Sequence, residues 1–341
     1  MTLREIMDLR YSFYRTALIF MTRNCPLKCR HCAVKAGPKY HETIPIDKVE
    51  QWLKGVKEAG NAELIAVSGG EPFAKAKVLA EILRCAHDFG FKAVAITSGF
   101  WATNIGNARK VLSSLPSFTA LEISADKFHE ECIPIERIRY AAFAALERGM
   151  TVIIGTADYP GDFYKDRLYE TLGDDLLRKI EFLENNVHAV GRALENRLVP
   201  TEYSHDLPEG ACDGLCAPVI RYDGNILACC HNEIIYQDNH SLWLGNLNRE
   251  SFHEIYERAN GNYLIQALRT IGPKGIVDIA AEEGWEWKPR LYRKGNICDL
   301  CKDIISSPNL ISRFEEYARD KAFRYEIAIA RFFRYGEAMQ V

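Results

Sequence analysis

Between Thr16 and about Val190, short apolar runs alternate with stretches whose apolar residues recur at helical spacing. The runs Thr16–Met21, Glu63–Ser68, Lys92–Thr97, Ala120–Ser124, Thr151–Thr156 and Val187–Val190 read as strands, since they are rich in apolar and β-branched residues and too short for helices. Between them, Ile46, Val49, Leu53 and Val56 form one helical face ahead of Gly60, and Val78, Leu79, Ile82, Leu83 and Ala86 another ahead of Gly90. Ile135–Arg148 repeats the design before Gly149, while Asn104–Leu112 and Leu176–Leu183 carry the period more weakly. Six strand–helix units predict a parallel sheet with right-handed crossovers. Six fall short of the eight that close a full barrel, so the expected α/β fold is a partial (β/α)6 barrel, with functional groups at the C-terminal ends of its strands.

After this the period changes. Val199–Gly210 is polar, contains Pro200 and Pro208, and reads as a linker. Ala217–Tyr222 and Asn225–Ala228 flank Asp223-Gly224, a strong hairpin signal. A helical pattern covers Phe252–Leu268, and a loop-rich stretch is expected from there to Cys298. In the tail, Phe314, Ala318, Ala322, Tyr325, Ile329 and Phe333 fall roughly on one face of a single amphipathic helix that packs on the core. The expected organisation is a barrel over 1–198, a linker over 199–210, a small α+β unit over 211–303 and a C-terminal helix over 304–341.

Composition narrows the function. The 341 residues are 48% hydrophobic and 26% charged, ordinary for a globular protein. The net charge of −3 supplies no basic field for nucleic acid. No apolar run approaches the roughly 20 residues of a membrane span, and Arg4, Arg10 and Arg15 interrupt any signal peptide, so a cytoplasmic location is expected. The first strand begins at Thr16, and no leader-peptide-binding domain is expected ahead of it. Eleven cysteines in a reducing compartment do not make a disulfide framework. Nine of them fall into groups (Cys25, Cys29, Cys32; Cys212, Cys216, Cys229, Cys230; Cys298, Cys301), which points to metal.

Cys25, Cys29 and Cys32 form a C-x3-C-x2-C run on the loop after the first strand. Three thiolates on one short loop can hold three irons of a cubane cluster whose usual complement is four cysteines, leaving one iron open to an outside ligand. A zinc site completed by His31 or His41 is the alternative, but zinc favours a closed tetrahedral set, often built from two paired cysteines, which an x3-then-x2 triple matches poorly.

The triple resembles the signature of the radical S-adenosylmethionine (SAM) superfamily. That resemblance implies a [4Fe–4S] cluster on Cys25, Cys29 and Cys32, with SAM on the open iron. Reductive cleavage of SAM would then give a 5′-deoxyadenosyl radical that abstracts a substrate hydrogen atom, driven by an external one-electron reductant such as flavodoxin or ferredoxin. Gly69-Gly70-Glu71-Pro72 after strand two resembles the family's GGE motif at the SAM amino group, where glycines let the backbone approach and a carboxylate suits an ammonium. By the same resemblance His31 lies near the adenine, and Ser98-Gly99 and Ser124 to Asp126 face the methionyl and ribose groups. Gly191-Arg192-Ala193 matches an element of the peptide-modifying branch, making Arg192 a cofactor-binding candidate. For each of these polar residues the competing reading is a turn or helix cap. Asp126, Lys127, His129, Glu130 and Glu131 read either as acid–base groups or as a solvated loop.

The spacing from Cys212 through Gly224 to Cys229, followed by Leu244-Gly245-Asn246-Leu247, resembles the opening of SPASM and twitch domains, which hold auxiliary clusters. Cys298-x2-Cys301 supplies two further thiolates, and the absence of the longer SPASM cysteine pattern favours the twitch form with one auxiliary [4Fe–4S] cluster. The expected ligands are Cys212, Cys229, Cys298 and Cys301, with Cys216 able to replace Cys212 or another member, and a structural zinc as the alternative occupant. Cys230 is left over beside a ligand, and is a candidate hydrogen-atom donor to a substrate radical, with Cys132 a second; both also read as inert thiols, and Cys85 as core. The expectation is therefore a radical SAM enzyme that modifies a ribosomally made peptide. Oxidation or epimerisation of a small metabolite of aminosugar or nucleoside type is the alternative substrate reading. A non-enzymatic iron–sulfur electron carrier or sensor is the alternative of another class.

Overall fold

The computed structural model describes residues 1–159, 161, 163–231 and 234–339. A short helix α1 (Leu3–Tyr11) precedes the first strand, β1 (Thr16–Thr22), and the expected alternation then unfolds. It runs through α2 (Ile46–Ala59), β2 (Leu64–Gly69), α3 (Ala76–Asp88), β3 (Lys92–Thr97), α4 (Ile105–Ser113) and β4 (Ala120–Ser124). It continues with α5 (Lys127–Glu130), α6 (Glu136–Glu147), β5 (Thr151–Asp158), α7 (Tyr164–Leu172), α8 (Asp174–Leu177), β6 (Glu181–Asn186) and α9 (Gly191–Glu195). Strands β1 to β6 pair in sequence order, all parallel, starting from Thr16 opposite Leu64. Helices α2, α3 and α6 bury Trp52, Leu53, Ile82, Leu83, Ala141 and Ala145 against the outer face, as the apolar spacing requires.

The sixth strand lies earlier than its sequence suggests. Val187–Val190 is the turn into α9, and Glu181–Asn186, half of it assigned to a helix by its spacing, pairs with β5 from Ile153–Glu181 to Asp158–Asn186. As an edge strand it exposes Glu184, Asn185 and Asn186, so its polar composition hides it.

Beyond β7 (Tyr203–Ser204), strand β8 (Val219–Arg221) joins the free edge of β1 in parallel, Leu18 opposite Val219. It turns at Asp223-Gly224 into β9 (Asn225–Leu227), and β10 (Trp243–Asn246) completes a nine-stranded sheet. Helices α10 (Phe252–Asn260), α11 (Tyr263–Thr270) and α12 (Gly272–Glu282) follow, then β11 (Tyr292–Arg293), which pairs with β7, and α13 (Ile297–Ile305). The loop-rich stretch expected before Cys298 thus contains α12, which buries Ile276, Val277 and Ala280. The tail folds as two helices, α14 (Pro308–Tyr317) and α15 (Lys321–Tyr335), because Asp320 caps a new start through the Ala322 and Phe323 amides. The break rotates the buried face to Phe323, Ile327 and Ala328, leaving Tyr325 and Phe333 exposed. Among the described residues no helix is long and apolar enough to cross a membrane.

Two buried features bear on the stability of the fold. Ile6 and Leu9 of α1 plug the base of the barrel against Leu64, Val94, Ala120 and Ile153. Above the plug remains a cavity of about 560 Å³, lined by Leu18, Ala66, Ile96, Glu122, Asn185 and Cys230 among others. The second is a fully buried Arg269, which pairs with Glu337, donates to Gln266 Oε1 at 2.6 Å and lies over the rings of Phe13 and Tyr335. Glu337→Ala leaves that guanidinium without its carboxylate and is expected to cost about 3 kcal/mol. A melting temperature indistinguishable from the parent's would refute this.

Candidate cluster and cofactor sites

The loop after β1 is cinched before any metal is considered. Thr22 Oγ1 donates to Glu42 O at 2.6 Å, Asn24 Nδ2 to Tyr40 O at 2.7 Å, and the Cys25 amide to Gly37 O at 3.3 Å. From α9, Arg192 donates through Nε to Cys29 O at 2.8 Å and through Nη1 to Ala36 O, while its amide reaches Cys32 O at 3.1 Å. Gly191 makes this approach possible: it has φ +54°, and a Cβ there would lie 2.3 Å from Ala33 O and 2.5 Å from Cys32 O.

The three cysteines share a pocket of about 190 Å³ with Gly69, Gly70, Ser98, Ser124, His31 and Arg192. Gly70 is fixed by its amide bond to Thr22 O, 2.6 Å, and a Cβ would stand 2.2 Å from Asn24 O. Burial pushes the Cys25 thiol up to about 12 and Cys29 higher still, the neighbouring thiols adding to the effect. Buried thiols ionise when a metal supplies compensating charge. The donor set therefore suits an iron–sulfur cluster that these three thiolates would hold.

Two residues expected at the cofactor stand behind the pocket wall instead. Glu71 is 1% exposed, and its oxygens accept from the Phe73 amide, Thr97 Oγ1, the Ser98 amide and Ser98 Oγ. With four donors its carboxylate organises the loop after β3, and burial holds its pKa above the ordinary value even so. The backbone of Gly69-Gly70, and not the Glu71 side chain, reaches the pocket. Asp126 likewise caps α5 through Oδ1, and its Oδ2 lies 3.2 Å from His31 Nε2 and 2.8 Å from His129 Nδ1. Burial opposes its ionisation, but both imidazoles outweigh that and hold its pKa far below the usual range. Asp126 thus fixes the ring of His31, which also stacks on Phe128 at 4.9 Å and lines the pocket. His129, paired with Asp126, lines the same pocket, whereas Glu130 pairs with Arg167 and Glu131 is exposed, so only the far end of this segment is a solvated loop.

The second set converges from three elements. Cys212 precedes a 3-10 turn, Cys229 follows β9, and Cys298 and Cys301 stand in the first turns of α13, which Asn296 caps through the Cys298 amide. These four thiols meet in one largely apolar pocket with Leu215, Leu242 and Leu268; burial raises each, and neighbouring thiols, Cys230 among them, add to the effect. Cys216 is not among them. It is wholly buried on the far side of the 3-10 turn, and its Sγ accepts from Arg269 Nε at 3.4 Å. The 3-10 turn between Cys212 and Cys216, which have three residues between them in the chain, turns their side chains to different neighbours.

Cys230 is exposed and lies beside this set. It lines the barrel cavity and also a surface groove of about 490 Å³ bounded by Val190, Pro200, Glu202 and Lys294. Cys132, the other candidate donor, adjoins Cys29 instead. Glu122, absent from the sequence-derived candidates, projects from β4 into the barrel cavity, where burial raises its pKa against the pull of Arg10. A charged residue at an inward position of a central parallel strand was the available signal.

Residues 19–168 match the family model of the Radical SAM superfamily. This segment is a radical SAM domain. Radical SAM proteins use a [4Fe–4S] cluster and SAM, consistent with the donor set around Cys25, Cys29 and Cys32. Among curated proteins the chain is similar to YydG of Bacillus subtilis (strain 168), described as a putative peptide biosynthesis protein, with 23% identity over 89% of this chain and 96% of that one. Among solved structures it is similar to SuiB of Streptococcus suis, crystallised with S-adenosylmethionine, at a TM-score of 0.45 and 16% identity over 72% of this chain and 66% of that one. HydG, a maturase of the [FeFe]-hydrogenase, gives a TM-score of 0.40 and 15% identity over 56% of this chain and 48% of that one.

Proposed function

We propose that this radical SAM protein is an enzyme that modifies a peptide by hydrogen-atom abstraction. The observation that carries the proposal is a row of adjoining hollows. Ile96 lines both the pocket of Cys25, Cys29 and Cys32 and the barrel cavity, and His188 and Cys230 line both that cavity and the surface groove. When bound, the cluster and SAM would supply a 5′-deoxyadenosyl radical beside the barrel cavity. The chain's own part is to hold the cluster with three thiolates and to present the Gly69-Gly70 backbone and Ser98 to SAM. The barrel wall meanwhile excludes water around the reacting carbon. The similarity to YydG supports a peptide as substrate. We further assign Cys212, Cys229, Cys298 and Cys301 to one auxiliary [4Fe–4S] cluster, with iron rather than zinc in the purified protein as the check.

The position of Cys230 favours epimerisation among the possible outcomes. An exposed thiol beside both cavity and groove can return a hydrogen atom to the substrate radical; the S–H bond breaks, a C–H bond forms, and the thiyl radical regains its thiol with one electron from the external reductant and a proton from solvent. Cys230→Ala is expected to keep 5′-deoxyadenosine formation within about threefold of the parent while stereoinverted product is lost, the radical being quenched from solvent or left unresolved. Chiral amino-acid analysis of the peptide product reads this out, and undiminished inversion by Cys230→Ala would exclude the donor role. Absence of 5′-deoxyadenosine from reconstituted, reduced parent protein would overturn the enzyme reading itself.

A further inference from the structure

On the side of the cysteine loop away from the barrel cavity lies a second hollow, of about 330 Å³, with Lys28, Lys35 and Lys39 on its rim and Arg192 in its floor. Glu195 is the single carboxylate that lines it, and it pairs with Lys35 at 2.6 Å. Lys28 and Lys39 have no carboxylate partner among the described residues; Lys39 rests 5.0 Å from the Tyr40 ring. Both are exposed. The hollow is therefore an uncompensated basic surface on a chain whose overall charge is −3.

Its place in the fold gives that charge a meaning. Arg192 and Ala36 line this hollow and also the pocket of Cys25, Cys29 and Cys32, so one layer of side chain separates the two. Arg192 Nε binds Cys29 O at 2.8 Å, and Lys28 stands within the loop between Cys25 and Cys29. A cluster on these cysteines must receive an electron from outside, and this basic hollow adjoins its pocket.

We infer that this hollow is the docking surface of an acidic one-electron carrier protein, a reduced flavodoxin or ferredoxin, that delivers the electron for SAM cleavage. The inference rests on the radical SAM reading above. In this step the carrier loses one electron and the cluster gains one, with no bond made or broken. Complementary charge accelerates such encounters and makes them sensitive to salt.

The test uses the cluster-loaded full chain, reduced flavodoxin as the protein donor and dithionite as a small donor that needs no docking surface. Bleaching of the cluster's visible absorption is followed by stopped flow. The Lys28→Gln/Lys39→Gln variant is expected to be reduced by flavodoxin about tenfold more slowly at low salt, and at the parent rate by dithionite. In the parent, flavodoxin-driven reduction should slow as salt rises. Lys39→Glu alone, outside the cysteine loop, should reproduce the defect if the double variant loads less iron. Unchanged flavodoxin rates, or an equal fall with dithionite, would overturn the docking role. So would a loss of peptide modification under dithionite with flavodoxin rates intact, which assigns the lysines to an acidic peptide. A parent that bleaches with both donors but releases no 5′-deoxyadenosine from SAM refutes the underlying reading instead, and is told apart by that product.

Discussion

Cys29→Ala is expected to lower SAM cleavage beyond detection and to remove about four irons per chain, from about eight to about four. Cys29 is the most buried of its triple, 5% exposed, and its carbonyl is the anchor of Arg192. The truncation leaves two thiolates for three irons and adds nothing that could replace the third. The remaining iron should stay with Cys212, Cys229, Cys298 and Cys301, which approach one another from separate elements. Cys216→Ser provides the contrast: a thiol bonded to Arg269 should leave the iron content at about eight, whereas a ligand would not. Cleavage within about tenfold of the parent by Cys29→Ala would exclude the assignment.

The second large effect concerns a residue with no chemistry of its own. Gly191→Ala is expected to abolish cluster loading at Cys25, Cys29 and Cys32 while leaving the far-ultraviolet circular dichroism close to the parent's. The φ of +54° costs an L-residue roughly 1–2 kcal/mol. Steric overlap costs more, since the new methyl would sit 2.3 Å from Ala33 O and 2.5 Å from Cys32 O, and both atoms belong to backbone. Relief must come from separating α9 from the loop, which breaks the Arg192 amide bond to Cys32 O and pulls the guanidinium from Cys29 O. Iron content and equilibrium binding of SAM measure the result. Parent values of both would show that α9 merely adjoins the loop.

Strands β1 to β5 were legible because a parallel strand covered on both faces must be apolar nearly throughout, and Ile65, Val67, Ala95, Ile123 and Ile154 are. Strand β6 was not, because an edge strand owes its place to pairing with β5, which leaves little trace in composition. The cysteine groups were equally plain, since metal ligation constrains residue type and spacing together. Spacing could not separate Cys212 from Cys216, because that depends on how a 3-10 turn faces Arg269, which lies far along the chain. Glu71 and Asp126 show a related limit. A carboxylate beside a glycine or histidine can serve a ligand or the protein, and here Ser98, Thr97, His31 and His129 claim both side chains. Lys28 and Lys39 gave no signal, because solvated lysines are common and only their place on a hollow that shares Arg192 and Ala36 with the cysteine pocket distinguishes them.

The parallel pairing of β8 with β1 bears on how substrate gains entry. Strand β1 delivers the chain into the first cysteine loop, and β8 leads through β9 to Cys229 and Cys230. Leu18 lies opposite Val219 and Phe20 opposite Arg221, so the backbone of one cysteine-bearing region is stitched to that of the other. A hinge between them would have to break a ladder inside a continuous sheet. Under the proposed function, substrate entry would then fall to the groove rather than to a hinge, and the backbone link between the two cysteine-bearing regions is a fixed part of the scaffold.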